Sequence, residues 1–232
     1  MSSFVRHQHK ESSEVQAGLT QGHILNWGWR YDLMLWFSNL MTRGKWRVLQ
    51  RKIIDLARFQ PGESVLDVGC GTGDFSLDVY TRVGAGGRVS GIDPGPKQIA
   101  RARVKAARRG SPIDFQVGVV EQIVFPDQSF DVVLSTFMMH MLPDDLKRQG
   151  LREIARVLKP GGRLLVVDTR RPEEPAAKGE RIVHTGPWNS GIQDQPQLLK
   201  DAGFSQIESG EVEIGATRLP RIGFVLGRKS LV

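Results

Sequence analysis

Cysteine is nearly absent from this sequence, which has one, Cys70, among 232 residues. A single cysteine excludes an internal disulfide framework and a cysteine-based metal cluster, and it predicts a reducing, cytoplasmic setting. No apolar run approaches the roughly 20 residues that a membrane-spanning helix needs, and the polar N-terminus does not predict a secretory signal. The length favours one well-buried α/β domain with an appended N-terminal segment.

Acidic residues are outnumbered by basic ones, 25 to 32, which gives a net charge of +7. Much of the excess lies in residues 97–109, which hold six cations and no acid. Lys97, Arg101 and Lys105 recur every four positions opposite an apolar stripe, so the run predicts an amphipathic helix with a solvated basic face. A patch that binds nucleic acid or another anionic surface is the alternative.

Composition divides the chain into three parts. Residues 1–22 are polar and aperiodic and are predicted to be a disordered tail. Residues 23–60 are predicted to form a helical lid or cap; they hold four of the five tryptophans, and their spacing predicts two helices, the first apolar over more than one face. Residues 61–232 are predicted to form the main domain.

Strands and helices alternate along the main domain, which favours a parallel sheet with right-handed crossovers. A loop is expected over 170–191. The predicted strands are 64–68, 88–92, 113–118, 130–135, 163–168, 205–214 and 221–228, and the predicted helices are 74–82, 96–109, 144–158 and a short one near Pro196.

A glycine-rich turn is the most informative local feature. Residues 65–73 read Val-Leu-Asp-Val-Gly-Cys-Gly-Thr-Gly, between an apolar strand and a predicted helix start. A turn without Cβ atoms at alternate positions lets a nucleotide-like ligand approach the backbone closely. The segment therefore predicts a ligand site at the end of the first strand.

A dinucleotide is the obvious ligand for such a turn, and the spacing is against it. The fingerprint G-x-G-x-x-G/A would place its third small residue at position 74, where this chain has Asp74. That carboxylate would repel a pyrophosphate at the helix N-terminus, and Asp67 adds a second negative charge. The two charges favour a ligand with an ammonium group and no phosphate, as in the methionine part of S-adenosyl-L-methionine. Asp93, at the end of a second predicted strand, is placed to accept hydrogen bonds from two ribose hydroxyls.

Four segments in order, 65–76, 91–103, 125–135 and 158–168, resemble the consecutive motifs of class I S-adenosylmethionine-dependent methyltransferases. The resemblance implies an α/β, Rossmann-like, seven-stranded sheet with its last strand antiparallel, flanked by helices, and an N-terminal helical lid. Within the family, residues 31–47 are most similar to the ubiquinone/menaquinone C-methyltransferase branch and the related bacterial phospholipid N-methyltransferases.

Two departures from the quinone branch leave the acceptor open. The loop over 170–191 is shorter than the insertion that those enzymes carry there. The fifth strand ends Val-Asp-Thr-Arg-Arg-Pro at 167–172, which does not match the usual ending of that branch. The acceptor atom, carbon, oxygen, nitrogen or sulfur, is not determined by these motifs.

The cofactor residues follow from the resemblance and from the rule that ligands bind at the carboxyl ends of parallel strands. Asp93 is expected on the ribose, and the segment after the third strand is expected to frame the adenine. That segment has two valines where many relatives place an acid for the adenine amino group. The full set is Asp67, Gly69, Gly71, Gly73, Asp93, Val119, Val120 and Ser135, the last beneath the sulfonium.

A base need only remove a proton from the acceptor, because the cofactor brings an activated methyl group. The candidates are His140, His184 and Tyr31, with His23 as a further one. A packed core histidine is the alternative for His140, and Asp168 is expected to be a hydrogen-bonding residue at a strand end. The sequence contains no metal-ligand cluster, which argues against magnesium-dependent transfer.

The N-terminal helices have three interpretations: a lid that excludes water, ordinary packing, or a peripheral membrane contact of exposed tryptophans beside basic residues. Aromatic and methionine side chains around the predicted site favour an apolar small-molecule acceptor. The alternatives are an RNA or DNA methyltransferase, which the charge suggests, and a cofactor-binding interaction module without catalysis. The apolar set is Trp27, Trp29, Trp36, Phe37, Phe137, Met138, Met139, Met141 and Trp188.

Overall fold

A computed structural model describes residue 20 and residues 22–171, 191–213 and 221–231. The predicted tail over 1–22 therefore lies outside the described residues except at positions 20 and 22. The strands in these ranges are β1 Ser64–Val68, β2 Arg88–Asp93, β3 Asp114–Val117, β4 Phe130–Thr136, β5 Leu158–Thr169, β6 Phe204–Glu211 and β7 Ile222–Lys229.

Helices alternate with the strands along the main domain, as the sequence predicts. Two short 3₁₀ turns, Met139–Met141 and Ile192–Asp194, accompany them. The α-helices of the described ranges are α1 Trp29–Met41, α2 Lys45–Leu56, α3 Asp74–Val83, α4 Pro96–Arg108, α5 Asp144–Val157 and α6 Gln195–Asp201.

The described strands form one seven-stranded sheet in the order β3-β2-β1-β4-β5-β7-β6. Strands β1 to β5 pair in parallel, and β7 is inserted antiparallel between β5 and β6. The predicted fold is therefore confirmed, including the antiparallel last strand. The order reverses direction between β1 and β4, and ligands of such sheets bind in the crevice at that point.

The fifth strand differs from its prediction, which was 163–168. It begins at Leu158, directly after α5, and its pairing with β4 shifts register between Phe130 and Val132. The Lys-Pro-Gly-Gly sequence at 159–162, typical of a turn, is accommodated as an irregularity within the strand. The predicted boundary was wrong because turn residues also form bulges inside ladders.

The two N-terminal helices pack differently from each other. In α2, Leu49, Ile53 and Ile54 are buried, and the Trp46 ring lies 5.6 Å from the Phe137 ring. In α1 no residue is buried, although its sequence is rich in large apolar side chains. Ordinary packing therefore accounts for α2 and not for α1. No helix among the described residues is long and apolar enough to cross a membrane.

Polar contacts connect α1 to the main domain. The Asp32 carboxylate accepts a hydrogen bond of 2.6 Å from Thr72 Oγ1 and one of 2.5 Å from Arg101 Nε, and it lies 3.1 Å from Lys105 Nζ. Burial alone would raise the pKa of Asp32, but these three donors outweigh it and lower the pKa. The basic face of α4 is therefore only partly solvated, contrary to the prediction, because Arg101 and Lys105 are engaged by α1.

Candidate cofactor and acceptor site

The three glycines of the turn after β1 all have positive φ angles, 72° at Gly69, 54° at Gly71 and 82° at Gly73. A Cβ on Gly69 would come 2.4 Å from Met138 Cγ, and one on Gly73 would come 2.7 Å from Phe115 Cζ. A Cβ on Gly71 would meet nothing closer than Tyr31 Cε1 at 3.9 Å. Gly73 is thus required by packing, whereas Gly71 leaves open space for a ligand.

Asp93 ends β2 beside this turn and is nearly buried. Its Oδ2 accepts a hydrogen bond of 3.0 Å from the Gly71 amide, and its Oδ1 accepts one of 2.8 Å from the Gly95 amide. Burial raises the pKa of Asp93 to about 6, although both amide hydrogen bonds oppose the increase. Since each carboxylate oxygen can accept two hydrogen bonds, one lone pair on each remains for a ligand hydroxyl.

Asp67 lies inside β1 and is fully buried, not in the turn itself. Ser76 Oγ donates a hydrogen bond of 2.6 Å to Asp67 Oδ2, while Oδ1 has no hydrogen-bond partner in the part of the chain that the structure describes. Burial, reinforced by the charge of Asp93 and opposed by the Ser76 bond, raises the pKa of Asp67 to about 7. Asp67 thus supports the turn from below.

A cavity of about 80 Å³ lies above the turn, at the carboxyl ends of β1, β2 and β4. Of the residues predicted for the cofactor, its wall within the described ranges includes Asp93, Gly69, Gly71, Val119 and Val120, but not Asp67, Gly73 or Ser135. Ser135 is fully buried and its neighbour Thr136 lines the cavity instead. The sequence placed the end of β4 one residue too early, and alternation along a strand then exchanged the two faces.

The segment after β3 provides the wall where the adenine is expected. Val119 and Val120 line it, and Glu121 follows them. Glu121 is 7% exposed, and its Oε1 is buried without a hydrogen-bond partner among the described residues. A buried unpaired carboxylate oxygen at a cavity wall is costly unless a ligand donates to it. Sequence reasoning missed Glu121 because nothing in its spacing shows that the side chain is buried.

The opposite wall belongs to the N-terminal segment, with Thr20, Gly22, His23, Leu25 and Tyr31. This segment is fastened to the first turn of α4. The Gly28 amide donates a hydrogen bond of 2.8 Å to Gln98 Oε1, and Asn26 Oδ1 accepts one of 2.8 Å from the Lys97 amide at the start of α4. The cofactor end of the crevice is therefore covered by chain from outside the sheet.

Tyr31 lines this cavity and also a smaller one of about 40 Å³ that includes Trp46 and Asp74. Burial, and next the charges of Asp93 and Asp74, raise the pKa of Tyr31 above its ordinary value. The phenol therefore stays protonated at neutral pH. It can donate a hydrogen bond to a ligand in either cavity.

His140 follows β4 and is held by Asp168, at the end of β5. The His140 amide donates to Asp168 Oδ2 at 2.9 Å, and His140 Nδ1 lies 2.6 Å from Asp168 Oδ1. Asp168 is 2% exposed, whereas the His140 side chain is 35% exposed. This pairing orients the imidazole and leaves Nε2 for another partner. The bonded pair agrees with the hydrogen-bonding role predicted for Asp168.

The other histidine candidates are placed as follows. His23 lines the cavity, and its amide donates to the Met141 carbonyl at 3.3 Å. His184 and Trp188 lie outside the described residues. Around His140, the neighbours Phe137, Met138 and Met141 form an apolar part of the cavity wall.

The residues at this crevice fit S-adenosylmethionine. Gly71 leaves space that a side chain would fill, Asp93 keeps acceptor capacity for two hydroxyls, and Glu121 has a buried oxygen that lacks a donor within the described ranges. The wall contributes no phosphate-binding lysine or arginine among the described residues. These properties fit a nucleoside without phosphate better than a dinucleotide.

Comparison with known proteins agrees with this geometry. Residues 65–162 match a family described as a methyltransferase domain. The ubiquinone/menaquinone biosynthesis C-methyltransferase UbiE of Hahella chejuensis is 38% identical over 148 residues, 63% of this chain and 57% of that protein. The demethylmenaquinone methyltransferase of Listeria welshimeri is 37% identical over 150 residues, 64% of this chain and 61% of that protein. The chain thus spans about three-fifths of the length of the curated relatives it matches.

A solved structure extends the similarity beyond the matched segment. The S-adenosylmethionine-dependent methyltransferase from Aquifex aeolicus superposes with a TM-score of 0.62 at 25% identity, covering 77% of this chain and 88% of that chain. The resemblance seen in the sequence motifs is confirmed. By the sequence of residues 65–162 and by its fold, the chain is similar to the class I S-adenosylmethionine-dependent methyltransferases, and S-adenosylmethionine is the cofactor that its site fits.

Proposed function

We propose that the chain transfers the methyl group of S-adenosylmethionine to an apolar small-molecule acceptor. The observation that carries the proposal is a single cavity in which Asp93 and Gly71 face an apolar wall of Phe137, Met138 and Met141. An apolar wall favours an apolar ligand, because a few polar groups suffice to orient one. The names of both curated relatives describe quinone methylation, which supports the same class of acceptor.

Three residues hold the cofactor in this proposal. The free lone pairs of Asp93 accept the ribose hydroxyls, and Gly71 gives the ligand room to approach the turn. Glu121 Oε1 accepts a hydrogen bond from the adenine amino group, which replaces the acid that the sequence lacks at position 119. Asp67 acts indirectly, because it supports the turn through Ser76.

When bound, the cofactor supplies an activated methyl group on a sulfonium. The residues of this chain then have to align the acceptor, exclude water and accept the acceptor's proton. We assign the proton to His140 Nε2, since Nδ1 is bonded to Asp168 and the buried carboxylate stabilises the imidazolium that forms. His140 is not among the residues that line the cavity, so in this proposal the acceptor extends past Met138 or Met141 toward its imidazole.

The N-terminal segment acts as the lid in this proposal. The cavity of about 80 Å³ is well below the roughly 300–1,000 Å³ of ordinary ligand sites. Segment 22–31 therefore moves outward to admit ligands and returns to exclude water. The hydrogen bonds of Asn26 and Gln98 fasten its closed position. We therefore divide the chain into an N-terminal helical cap over 23–60, in which the part before the packed helix α2 moves, and a methyltransferase domain over 61–232.

We also propose a cytoplasmic reaction. Cys70 is the chain's single cysteine, and it lies in the glycine turn as a buried thiol. Burial, with the charges of Asp67 and Asp93 next, raises the pKa of Cys70, so the thiol stays protonated and unreactive. Such a thiol is a packing group, and it fits a reducing compartment.

An acceptor screen with methyl-labelled S-adenosylmethionine tests the proposed function. The arms are quinones and phenols with apolar tails, polar amines, and total RNA, each with the Asp93→Ala variant as the matched control. Label should appear in the apolar arm with the wild-type chain and be lost with the variant. Label in RNA alone, or no label in any arm with a chain that binds the cofactor, contradicts the proposal.

A further inference from the structure

Helix α1 presents a continuous apolar surface to solvent. Its outward side chains are between 43% and 61% exposed, and Trp27, just before the helix, is 51% exposed. An apolar patch of this kind on a soluble chain marks an interaction site. We call the patch the outer face of α1; its members are Trp29, Leu33, Met34, Trp36, Phe37, Leu40 and Met41.

Three other polar residues of α1, Tyr31, Asp32 and Asn39, point the other way, toward the protein. Tyr31 lines the cofactor cavity, Asp32 bonds to Thr72 and Arg101, and Asn39 lines a cleft beside α2. An amphipathic helix ordinarily buries its apolar side. Here the hydrogen bonds and ion pairs of Asp32 fix the opposite orientation, so the outer face is held outward by specific contacts.

Positive charge surrounds the outer face. Residues 27–52 hold six cations and one acid, Asp32, which is turned inward and paired. Arg30, Arg43, Arg47 and Arg51 are exposed around the helix and the start of α2.

The cleft beside α2 extends this charge. It has a volume of about 640 Å³ between α1, α2, α3 and α4, and Trp36 stands at its edge. Arg47 and Arg51 line it, and their guanidinium groups make no hydrogen bond or ion pair among the residues that the structure describes. Unpaired guanidinium groups beside an exposed tryptophan match the chemistry of a phosphate headgroup next to acyl chains.

We propose that the outer face of α1 docks on an anionic lipid membrane, with α1 lying in the plane of the interface. Its tryptophans, leucines and methionines enter the boundary between headgroups and acyl chains, and Arg47 and Arg51 contact lipid phosphates. A second copy of this chain fits less well, because a symmetric contact would bring the same ring of cations against itself. The lipid surface satisfies both the apolar side chains and the charge.

Docking in this orientation has a consequence that rests on the proposed function. Tyr31 lies on the opposite side of the same helix and lines the cavity. The membrane would then lie one helix diameter, about 10 Å, from the cavity, and an apolar acceptor dissolved in lipid could reach it without crossing water. The docking itself depends only on α1 and its cations.

Vesicle binding of the full chain tests the docking. The probes are vesicles of phosphatidylcholine and vesicles of phosphatidylcholine with phosphatidylglycerol. Binding should be strong to the anionic vesicles, weak to the neutral ones, and reduced by salt because the arginine contacts are screened. Tryptophan emission should shift to shorter wavelength as Trp29 and Trp36 leave water. If the chain binds neither kind of vesicle, the proposal is overturned.

Two pairs of variants separate the apolar and the charged contributions. Trp36→Ser with Phe37→Ser should lower vesicle affinity about tenfold or more. Val124→Ser with Leu231→Ser, which are 55% and 80% exposed elsewhere on the surface, should not change it. Arg47→Gln with Arg51→Gln should remove the preference for anionic vesicles, whereas Arg148→Gln with Arg152→Gln, exposed on α5, should retain it.

The competing occupants of the outer face give different results. A concentration-dependent dimer that Trp36→Ser with Phe37→Ser abolishes, without vesicle binding, identifies a second copy and overturns the proposal. A large fall in melting temperature of that variant in the absence of lipid identifies another part of the chain as the cover and overturns it as well. Cofactor affinity should be the same in all four variants and in the wild type, which rules out loss of folding.

Discussion

The two walls of the cofactor cavity are built in different ways. On the sheet side, Asp93 and the glycine turn are fixed by backbone hydrogen bonds, and buried strands lie directly beneath them. On the N-terminal side, segment 22–31 is attached through the hydrogen bonds of Asn26, Gln98 and the His23 amide, and Gly28 is its one buried residue. Local opening free energies follow such differences in buried contact. We call Asp93 with residues 69–73 the platform and segment 22–31 the cover. The platform is expected to be rigid, whereas the cover is expected to open at little cost in free energy.

The acids on the two sides of the cavity also differ, because burial raises the pKa on the sheet side and pairing with cations lowers it on the N-terminal side. Asp67 and Asp93 on the sheet side are buried acids with raised pKa values of about 7 and about 6. Asp32 on the N-terminal side is paired with cations, and its pKa is lowered. The platform thus carries charge that a cationic ligand would stabilise, whereas the cover is already satisfied without a ligand.

The largest effect is expected from closing the space at the turn. Gly71→Val should abolish cofactor binding, because its side chain would occupy the approach to the platform. Gly110→Val is the matched control: it has a similar φ of 60° and open space, so it carries the same backbone strain away from the site. Calorimetry with S-adenosylmethionine should show no binding for the first and normal binding for the second. Loss of binding in both would mean that strain, and not closure of the site, is responsible.

Removal of the base should have the next largest effect, and it should change turnover without changing cofactor binding. His140→Ala should lower kcat about a hundredfold, in the usual range for general bases, with cofactor affinity unchanged. Asp168→Asn should shift the pH profile of kcat, because the partner that orients the imidazole is altered. Steady-state kinetics between pH 6 and 9 measure both. Full turnover of His140→Ala would show that the acceptor ionises without this residue.

Acid should weaken the platform's affinity for the cofactor. Asp93 accepts hydroxyls best when ionised, and its pKa is raised to about 6, so cofactor affinity should fall about tenfold per pH unit below 6.

The stability of the protein without cofactor should change in the opposite direction and increase as the pH falls. Because the pKa values of Asp67 and Asp93 are raised from 3.8, the stability they contribute is complete below about 4 and is lost as the pH rises through 6 and 7. Titrations from pH 5 to 8 should show both trends, and Asp93→Asn should flatten the first.

The smallest effect is expected from removing a single hydrogen bond that holds the cover closed. Asn26→Ala removes the acceptor of the Lys97 amide at the start of α4 and should open segment 22–31 more often. Hydrogen exchange in that segment should become about five- to tenfold faster, in line with the loss of a capping hydrogen bond. Exchange in β1 and β2 should be unchanged. Equally fast exchange in both regions would contradict the division into platform and cover.

The platform could be predicted from the sequence because local patterns fix it. A glycine turn after an apolar strand, and an acid at the end of the next strand, specify positions within a few residues. Asp93 and Gly71 lie at the cavity as predicted, although the site assignments themselves stay predictions. The parallel sheet follows from the alternation of elements, and the antiparallel last strand follows from the resemblance.

The remaining features depend on contacts that sequence spacing does not encode. The burial of Glu121 is set by the loop after β3, and the pairing of His140 with Asp168 joins residues 28 apart. Helix α1 shows the same limit. Its sequence predicts a helix that is apolar over more than one face, but the spacing does not show that the long-range bonds of Asp32 turn these side chains to solvent. Patterns identify amphipathic helices but not which side a distant partner selects.

Calorimetric titration of the wild-type chain and of Asp93→Ala with S-adenosylmethionine, at pH 7.5, tests whether Asp93 holds the ribose of the cofactor. We expect one site in the wild type. In the variant we expect a loss of about 1.5–3 kcal/mol of binding free energy, since two ribose hydroxyls lose a charged acceptor. NAD, titrated in parallel, should not bind either chain. Equal affinity of both chains for S-adenosylmethionine, or binding of NAD in its place, would contradict the account.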